Sequence, residues 1–235
     1  MQQLYPAAAP IADPLSIYER IVFPEPPPDR PHVYVNMVSS VDGRAQIDDH
    51  AIGLGSEVDQ ALMQRLRALA DCVLNGSGTV NAEQVYRPLP PELVAQRRAR
   101  GQAEEPLWAV ITASGQIRPD ATLFQKAAPR PIVFLAESTP ADRRSWLAER
   151  ADVVVAGDER PDPRAVLRVL RERYRCRHVL SEGGPRLNHA MVRAGALDEL
   201  FLTFAPKITA GQGKTIVEGA QFPREAMPRL GIVTL

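Results

Sequence analysis

Short apolar runs and longer amphipathic stretches take turns along this chain. The runs at 32–38, 71–74, 107–112, 131–136, 152–156, 178–181 and 199–205 are brief and apolar, which predicts strands. Between them, 57–70, 91–100, 141–150, 163–174 and 185–194 have helical spacing. In the first of these, Leu62, Leu66 and Leu69 share one face. The stretch at 91–100 is a polar surface helix, and 163–174 carries one apolar face. Strands and helices alternating this densely predict an α/β protein with helices on both faces of a sheet. Residues 1–31 break the pattern. They hold eight prolines, three of them consecutive at Pro26-Pro27-Pro28. They read as an irregular arm with one short helix near 15–20, which either wraps the domain or stays mobile. No internal repeat and no long linker follow, so 32–235 reads as a single domain.

Composition narrows the function classes. Twenty-eight basic residues balance 28 acidic ones, so no global field draws the chain to nucleic acid or to an anionic membrane. The cluster Arg97, Arg98 and Arg100 reads as a solvated helix face. No apolar run reaches the roughly 18 residues of a membrane span, and no signal peptide is visible, which points to the cytoplasm. Cys72 and Cys176 are isolated and read as small buried hydrophobes. The four histidines lack metal-ligand spacing and no Cys-x-x-Cys is present, so no metal is expected.

The chemistry concentrates at two glycine turns. Val179-Leu180-Ser181 runs into Glu182-Gly183-Gly184, and Pro185 opens a helix. Proline suits a first helical turn, and paired glycines let a backbone approach a ligand. The free amides and dipole of the helix start then make an anion site suited to a pyrophosphate. The other reading is a tight strand-to-helix turn with no ligand. Asn75-Gly76-Ser77-Gly78-Thr79-Val80 leaves another strand in the same way, and two such turns on one sheet edge suggest a dinucleotide crevice. Ser39-Ser40-Val41-Asp42-Gly43-Arg44 is turn chemistry. Arg67 precedes the Asn75 turn and Arg87 follows it, each either a phosphate ligand or an ordinary surface arginine. No Ser-His-Asp or Cys-His set can be assembled from strand ends. Glycine cradles without a nucleophile, metal or acid pair suit hydride transfer, where a cofactor carries the chemistry.

Three blocks in this order resemble the pyrimidine reductase of riboflavin biosynthesis, which reduces 5-amino-6-(5-phosphoribosylamino)uracil with NADPH. They are 39–44, then 66–71 running on to 78–83, then Ser181 to Asn188; Leu197-Asp198-Glu199-Leu200 with Ala205-Pro206-Lys207 follows. The resemblance spans about 32–218 and implies a dihydrofolate-reductase-like fold: a three-layer α/β/α sandwich on a central mixed, mostly parallel sheet. It implies that Gly183, Gly184, Pro185, Arg186, Leu187 and Asn188 hold the NADPH pyrophosphate, with Thr79, Glu83 and Ser114 as further cofactor contacts. Arg67, Glu182, Arg87 and Ser56 fall on the substrate side, Arg67 near the ribose phosphate, where removing its charge should mainly raise KM. Glu182 is expected to orient the ribose hydroxyls, or else to assist proton transfer as the one catalytic candidate. The residues for the 2′-phosphate stay open, with Ser138 and Thr139 in the loop after 131–136 as candidates.

The implied reaction passes a hydride to C1′ of the ring-opened ribosyl imine. Bifunctional relatives carry an N-terminal zinc deaminase where this chain has its arm, so the resemblance is to the stand-alone form. Relatives also run on past Leu235 into a closing strand. A homodimer is expected, with 199–205 and the loop at Gly211 and Gly213 as its edge. The remaining alternatives are a reductase of dihydrofolate or another pterin on the same fold, and a non-catalytic NADPH-binding module.

Overall fold

Seven of the predicted strands assemble into one sheet in the computed structural model, which describes every residue except Met1, Arg20, Asp49 and Ile52. The chain opens with a small hairpin of β1 (Gln2–Gln3) and β2 (Ala9–Pro10). It continues through β3 (His32–Ser40), α1 (Glu57–Leu69), β4 (Cys72–Gly76), α2 (Ser77–Ala82), α3 (Pro91–Ala99) and β5 (Leu107–Ile111). Next come α4 (Thr122–Lys126), β6 (Ile132–Leu135), α5 (Ala141–Ala148) and β7 (Asp152–Val155). The last elements are α6 (Pro163–Glu172), β8 (His178–Ser181), α7 (Pro185–Arg193) and β9 (Glu199–Ala205).

The strand order is β7-β6-β5-β4-β8-β3-β9, and every pairing is parallel. The expected mostly parallel sheet is thus parallel throughout. Among the described residues, 206–235 add only a 3-10 turn at Arg224–Ala226, so no strand returns along the β9 edge.

Alternate residues of the inner strands feed two cores. Tyr34, Val73, Trp108 and Leu180 face Leu66 of α1, Val80 of α2, Leu123 of α4 and Leu147 of α5. Val33, Leu74, Ala109 and Val179 face Val166 and Leu170 of α6 and Met191 of α7. Burial on both faces is why these strands read as continuous apolar runs. Each fully buried aliphatic side chain contributes about 1.5–3 kcal/mol over an exposed one. Cys72 and Cys176, isolated in sequence, lie together in the second core, where burial and then the neighbouring Cys176 thiol push the Cys72 thiol up.

Two sequence expectations change in tertiary context. In α1 the buried residues are Leu66, Arg67 and Ala68, because Ala68 also packs on Leu93 of α3 along a second side of the helix. In α3, Arg97 is not on a solvated face: it is 1% exposed. It donates to the Ala68, Ala70 and Ala103 carbonyls at 3.0, 2.5 and 2.7 Å. Those first two oxygens are the orphan acceptors at the end of α1. Arg100 adds a bond to Ala68 O at 2.8 Å, and Arg98 alone of the three stays fully outside.

The proline-rich arm wraps the domain. Phe23 stacks on Tyr34 at 4.3 Å and lies 5.2 and 5.4 Å from the rings of His32 and His178, while Tyr18 meets Phe201 edge-on at 5.3 Å. The helix expected near 15–20 is a 3-10 turn, Pro14–Tyr18, capped by Asp13; position 20 lies outside the described residues. Arg30 forks onto Asp198 at 2.6 and 2.8 Å, and Asp198 also accepts from the Val33 amide at 2.7 Å. Burial opposes the Asp198 charge, but these donors hold its carboxyl below the ordinary range. No helix among the described residues is long and apolar enough to cross a membrane.

Candidate active site

The two glycine turns leave neighbouring strands and meet. Leu74 of β4 is in register with Ser181 of β8. Just beyond, the Gly76 amide donates to Gly183 O at 2.6 Å. A Cβ on Gly76 would stand 3.4 Å from Gly184 N, and one on Gly184 would stand 3.1 Å from Thr79 Oγ1. Gly183 has φ +77°, in the left-handed region, and the Gly183–Gly184 peptide is cis. The turn at 75–80, read as an open loop, coils into α2 from Ser77 onward. Gly, Ser and Thr are weak helix formers, but Val80 is fully buried against the sheet and holds the turn in place.

Helix α7 then begins without a side-chain cap among the described residues. Gly184 offers no side-chain cap and Pro185 occupies the first turn. The Asn188 amide bonds Gly184 O at 3.0 Å, so the amides of Arg186 and Leu187 lie ahead of that bond at the positive end of the helix. The segment after β9 crosses over this start: Asn188 Nδ2 donates to Ile216 O at 2.9 Å and the Glu218 amide to Pro185 O at 3.1 Å. The 39–44 block pins that segment. Asp42 accepts from the Thr209 and Ala210 amides at 3.1 and 2.8 Å and from Ser40 Oγ at 2.6 Å. The Ser40 hydrogen bond first, then the Thr209 amide, brings the Asp42 carboxyl from its ordinary 3.8 down to about 2.

Beside the glycines lies a buried charged pair. Arg67 Nε and Nη2 donate to the two Glu182 oxygens at 2.6 and 2.7 Å. Arg67 is 3% exposed, sits over the Trp108 ring at 5.1 Å, and also donates to Val85 O at 3.3 Å. Its Nη1 is buried without a partner among the described residues. Asn75, 1% exposed, has both amide atoms in the same condition. Because Leu74 pairs with Ser181 and its carbonyl accepts from Glu182 N, Asn75 and Glu182 occupy the next rung and share a face. Sequence reasoning passed over Asn75 as a turn residue. The available signal was a side-chain amide ending the apolar run Cys72-Val73-Leu74.

The other expected site residues divide clearly. Thr79 is half-buried against Gly184, and Leu187 and Asn188 are buried behind the helix start, while Arg186 is exposed. Glu83 Oε1 accepts from the Ala51 amide at 2.7 Å. Ser56 caps α1 by accepting from Asp59 N at 3.2 Å, and Ser114 accepts from Gln116 N at 3.2 Å in its own turn. Arg87 is exposed on the loop after α2. Thr139 is buried two strands away, beyond β6, with its hydroxyl donating to Ala113 O at 2.8 Å and accepting from Ala136 N at 3.1 Å.

A model of the RibD C-terminal domain matches residues 31–234. The chain belongs to that family. Similar proteins include 2,5-diamino-6-ribosylamino-4(3H)-pyrimidinone 5′-phosphate reductases from two archaea. The Methanothermobacter thermautotrophicus protein is 29% identical, over 81% of this chain and 85% of its own length. The Archaeoglobus fulgidus protein is 27% identical, over 86% and 94%. Among solved structures, a pyrimidine reductase-like protein from Corynebacterium diphtheriae superposes with a TM-score of 0.73 at 22% identity, covering 83% of this chain and 84% of that one. The family expectation drawn from the motif blocks is borne out. In this RibD C-terminal domain, the block at 181–188 forms the glycine cradle, whereas Asp42 and Asp198 of the other blocks serve as clamps.

Proposed function

We propose that this chain is an NADPH-dependent reductase of riboflavin biosynthesis, acting on 5-amino-6-(5-phosphoribosylamino)uracil in the cytoplasm to give its ribitylamino form. The observation that carries the reading is the joined pair of glycine turns, opening on an uncapped helix start beside the buried Arg67–Glu182 pair. The cradle fits a dinucleotide phosphate. Bare backbone at Gly183 and Gly184, and the amides of Arg186 and Leu187, can approach an anion that any Cβ at Gly184 would crowd. Thr79 adds a hydroxyl at the same spot. When bound, NADPH supplies hydride from its nicotinamide C4, reducing C1′ of the ring-opened substrate, with the balancing proton coming from water. Glu182 holds acceptor oxygens toward the ribose hydroxyls and orients C1′; orientation and exclusion of water are the main demands of this chemistry. Exposed Arg87 is the guanidinium that the substrate phosphate can reach.

A second reading is favoured by the archaeal relatives, whose names give the 2,5-diamino pyrimidinone as substrate. The two substrates differ at one ring substituent. NADPH oxidation with each phosphorylated pyrimidine, and with dihydrofolate, decides among them. Oxidation with neither pyrimidine would sink the reductase reading, and oxidation with dihydrofolate alone would move it to a pterin. We also propose a homodimer through β9, which among the described residues has a strand neighbour on one side only and leaves Phe204 64% exposed. A monomeric mass by light scattering at micromolar concentration would overturn it.

A further inference from the structure

We infer that the outer face of α6, continued by the end of α7, binds the phosphate backbone of a duplex nucleic acid. The inference stands apart from the reductase reading. It is carried by where the charges lie, because the neutral total of the chain conceals a strong local imbalance.

Residues 163–195 hold eight arginines, no lysine and two carboxylates, whereas the rest of the chain holds 20 basic and 26 acidic residues. One of the two carboxylates, Glu182, lies at the glycine cradle, so Glu172 is the only acid that α6 and α7 themselves carry. Arg164, Arg168 and Arg171 follow one another at four and three residues. They form one stripe of α6, away from the side that buries Val166, Leu167 and Leu170. Arg164 Nε donates to Ala194 O at 2.8 Å, which brings the end of α7, with exposed Arg193, beside the stripe. Several surface arginines elsewhere find carboxylates: Arg98 takes Glu104, Arg118 takes Asp120 and Arg177 takes Glu25. Arg168, Arg171 and Arg193 form no ion pair with any described residue. Like charges three and four residues apart repel and work against the helix that carries them. A row of phosphates turns that repulsion into attraction, and the guanidinium fork fits a phosphate better than an ammonium does. From Arg164 to Arg171 the stripe runs about 10 Å, the rise of about three phosphates on one strand.

The surface around the arginines favours a nucleic acid over other polyanions. No large apolar side chain of α6 or α7 is exposed. A protein interface draws its affinity from buried aromatic or aliphatic anchors, and a membrane face needs apolar groups that enter the acyl boundary. A phosphate backbone needs neither. Neither helix carries Phe, Tyr or Trp, so there is no platform for unpaired bases and a duplex fits better than a single strand.

The test is fluorescence anisotropy of short labelled duplexes, one of RNA and one of DNA, titrated with the full chain between about 50 and 200 mM salt. The expected Kd is about 10 µM at the low-salt end, and log K should fall against log salt with a slope of about −3 to −4, as four arginine contacts require. Combining Arg168→Gln, Arg171→Gln and Arg193→Gln should weaken binding about tenfold or more and bring the slope to about −1. Combining Arg98→Gln, Arg143→Gln and Arg150→Gln removes the same charge from α3, α5 and the turn after α5, and should leave Kd within about twofold of wild type. Circular dichroism checks that both combinations fold. If the first does not, Arg168→Gln alone should reduce the slope by about one. Binding of either duplex, or of both alike, supports the inference and tells which backbone the face takes. It is overturned by no binding to either duplex at low salt, by undiminished binding in the α6–α7 variant, or by equal loss in both combinations. Equal retention of poly-glutamate, or of phosphatidylserine vesicles, would also overturn it, in favour of an acidic protein or a membrane. None of these outcomes bears on the reductase reading.

Discussion

Where the parallel strands begin, the sheet is closed by rings and salt links: Phe23 covers Tyr34, His32 and His178, Arg30 forks onto Asp198, and Arg97 fills the carbonyl end of α1. Where the same strands finish, there is bare glycine backbone, a helix start with no side-chain cap, and, among the described residues, buried groups without partners, Asn75 and Arg67 Nη1 included. Both ends border the same two cores, so the contrast is not one of hydrophobic content. A buried polar group without a partner costs about 1–3 kcal/mol, and both ends carry some, His178 Nε2 and Trp108 Nε1 at the first, but only the second sets them beside bare glycine backbone. Bare backbone and unmet hydrogen bonds together at strand exits are the mark of a site built for a ligand.

The comparison can be broken by uncoupling stability from function at each end. Arg97→Met should have the largest effect on stability. It strips donors from three backbone carbonyls and should cost about 3 kcal/mol in urea unfolding, yet leave turnover per folded molecule unchanged. Phe23→Ala should follow at about 2–3 kcal/mol, again without a change in kcat, since the arm lies away from the glycine turns. A fall in kcat for either variant would show that the closed end is not merely structural.

Gly183→Ala inverts the pattern. A side chain at φ +77° costs only about 1–2 kcal/mol, but the cradle must shift, and NADPH affinity measured by calorimetry should drop tenfold or more. Unchanged affinity would remove the cradle from the proposed site.

The smallest effect belongs to Asp42. Its carboxyl titrates at about 2 in the folded chain against an ordinary 3.8, so the stability it lends is present above 3.8 and disappears as pH falls through 2. Asp42→Asn should thus melt below wild type at neutral pH, with the two converging between pH 3.8 and 2 in a thermal series.

The sequence was most legible where local pattern and burial agree. Strands β8 and β9 occupy the expected residues, β5 and β7 differ from expectation by one residue at one end and β6 by one at each, because short apolar runs bounded by turn residues leave little ambiguity. It was least legible where a side chain's partner lies far along the chain. Arg97 reads as surface next to Arg98, and only the packing of α3 on α1 turns it inward. Arg67 carried a usable signal, since Met63, Arg67 and Ala70 share a helical stripe and a charge on such a stripe needs a partner. Which partner it takes was not in the pattern.

What the sequence by itself determined is the alternation of strands and helices, the family, and the glycine block at 181–188, since each is written in neighbouring residues through periodicity, turn chemistry or motif. What only the tertiary structure decided is how distant pieces meet. Gly76 is joined to Gly183, Arg67 faces Glu182 and not solvent, the arm lies down on Tyr34, and Asp42 holds the segment after β9. The physical reason is that these contacts depend on strand order. By placing β8 between β4 and β3, the sheet sets the two glycine turns side by side and brings a charge from one helix to a carboxylate that leaves a strand much later in the chain.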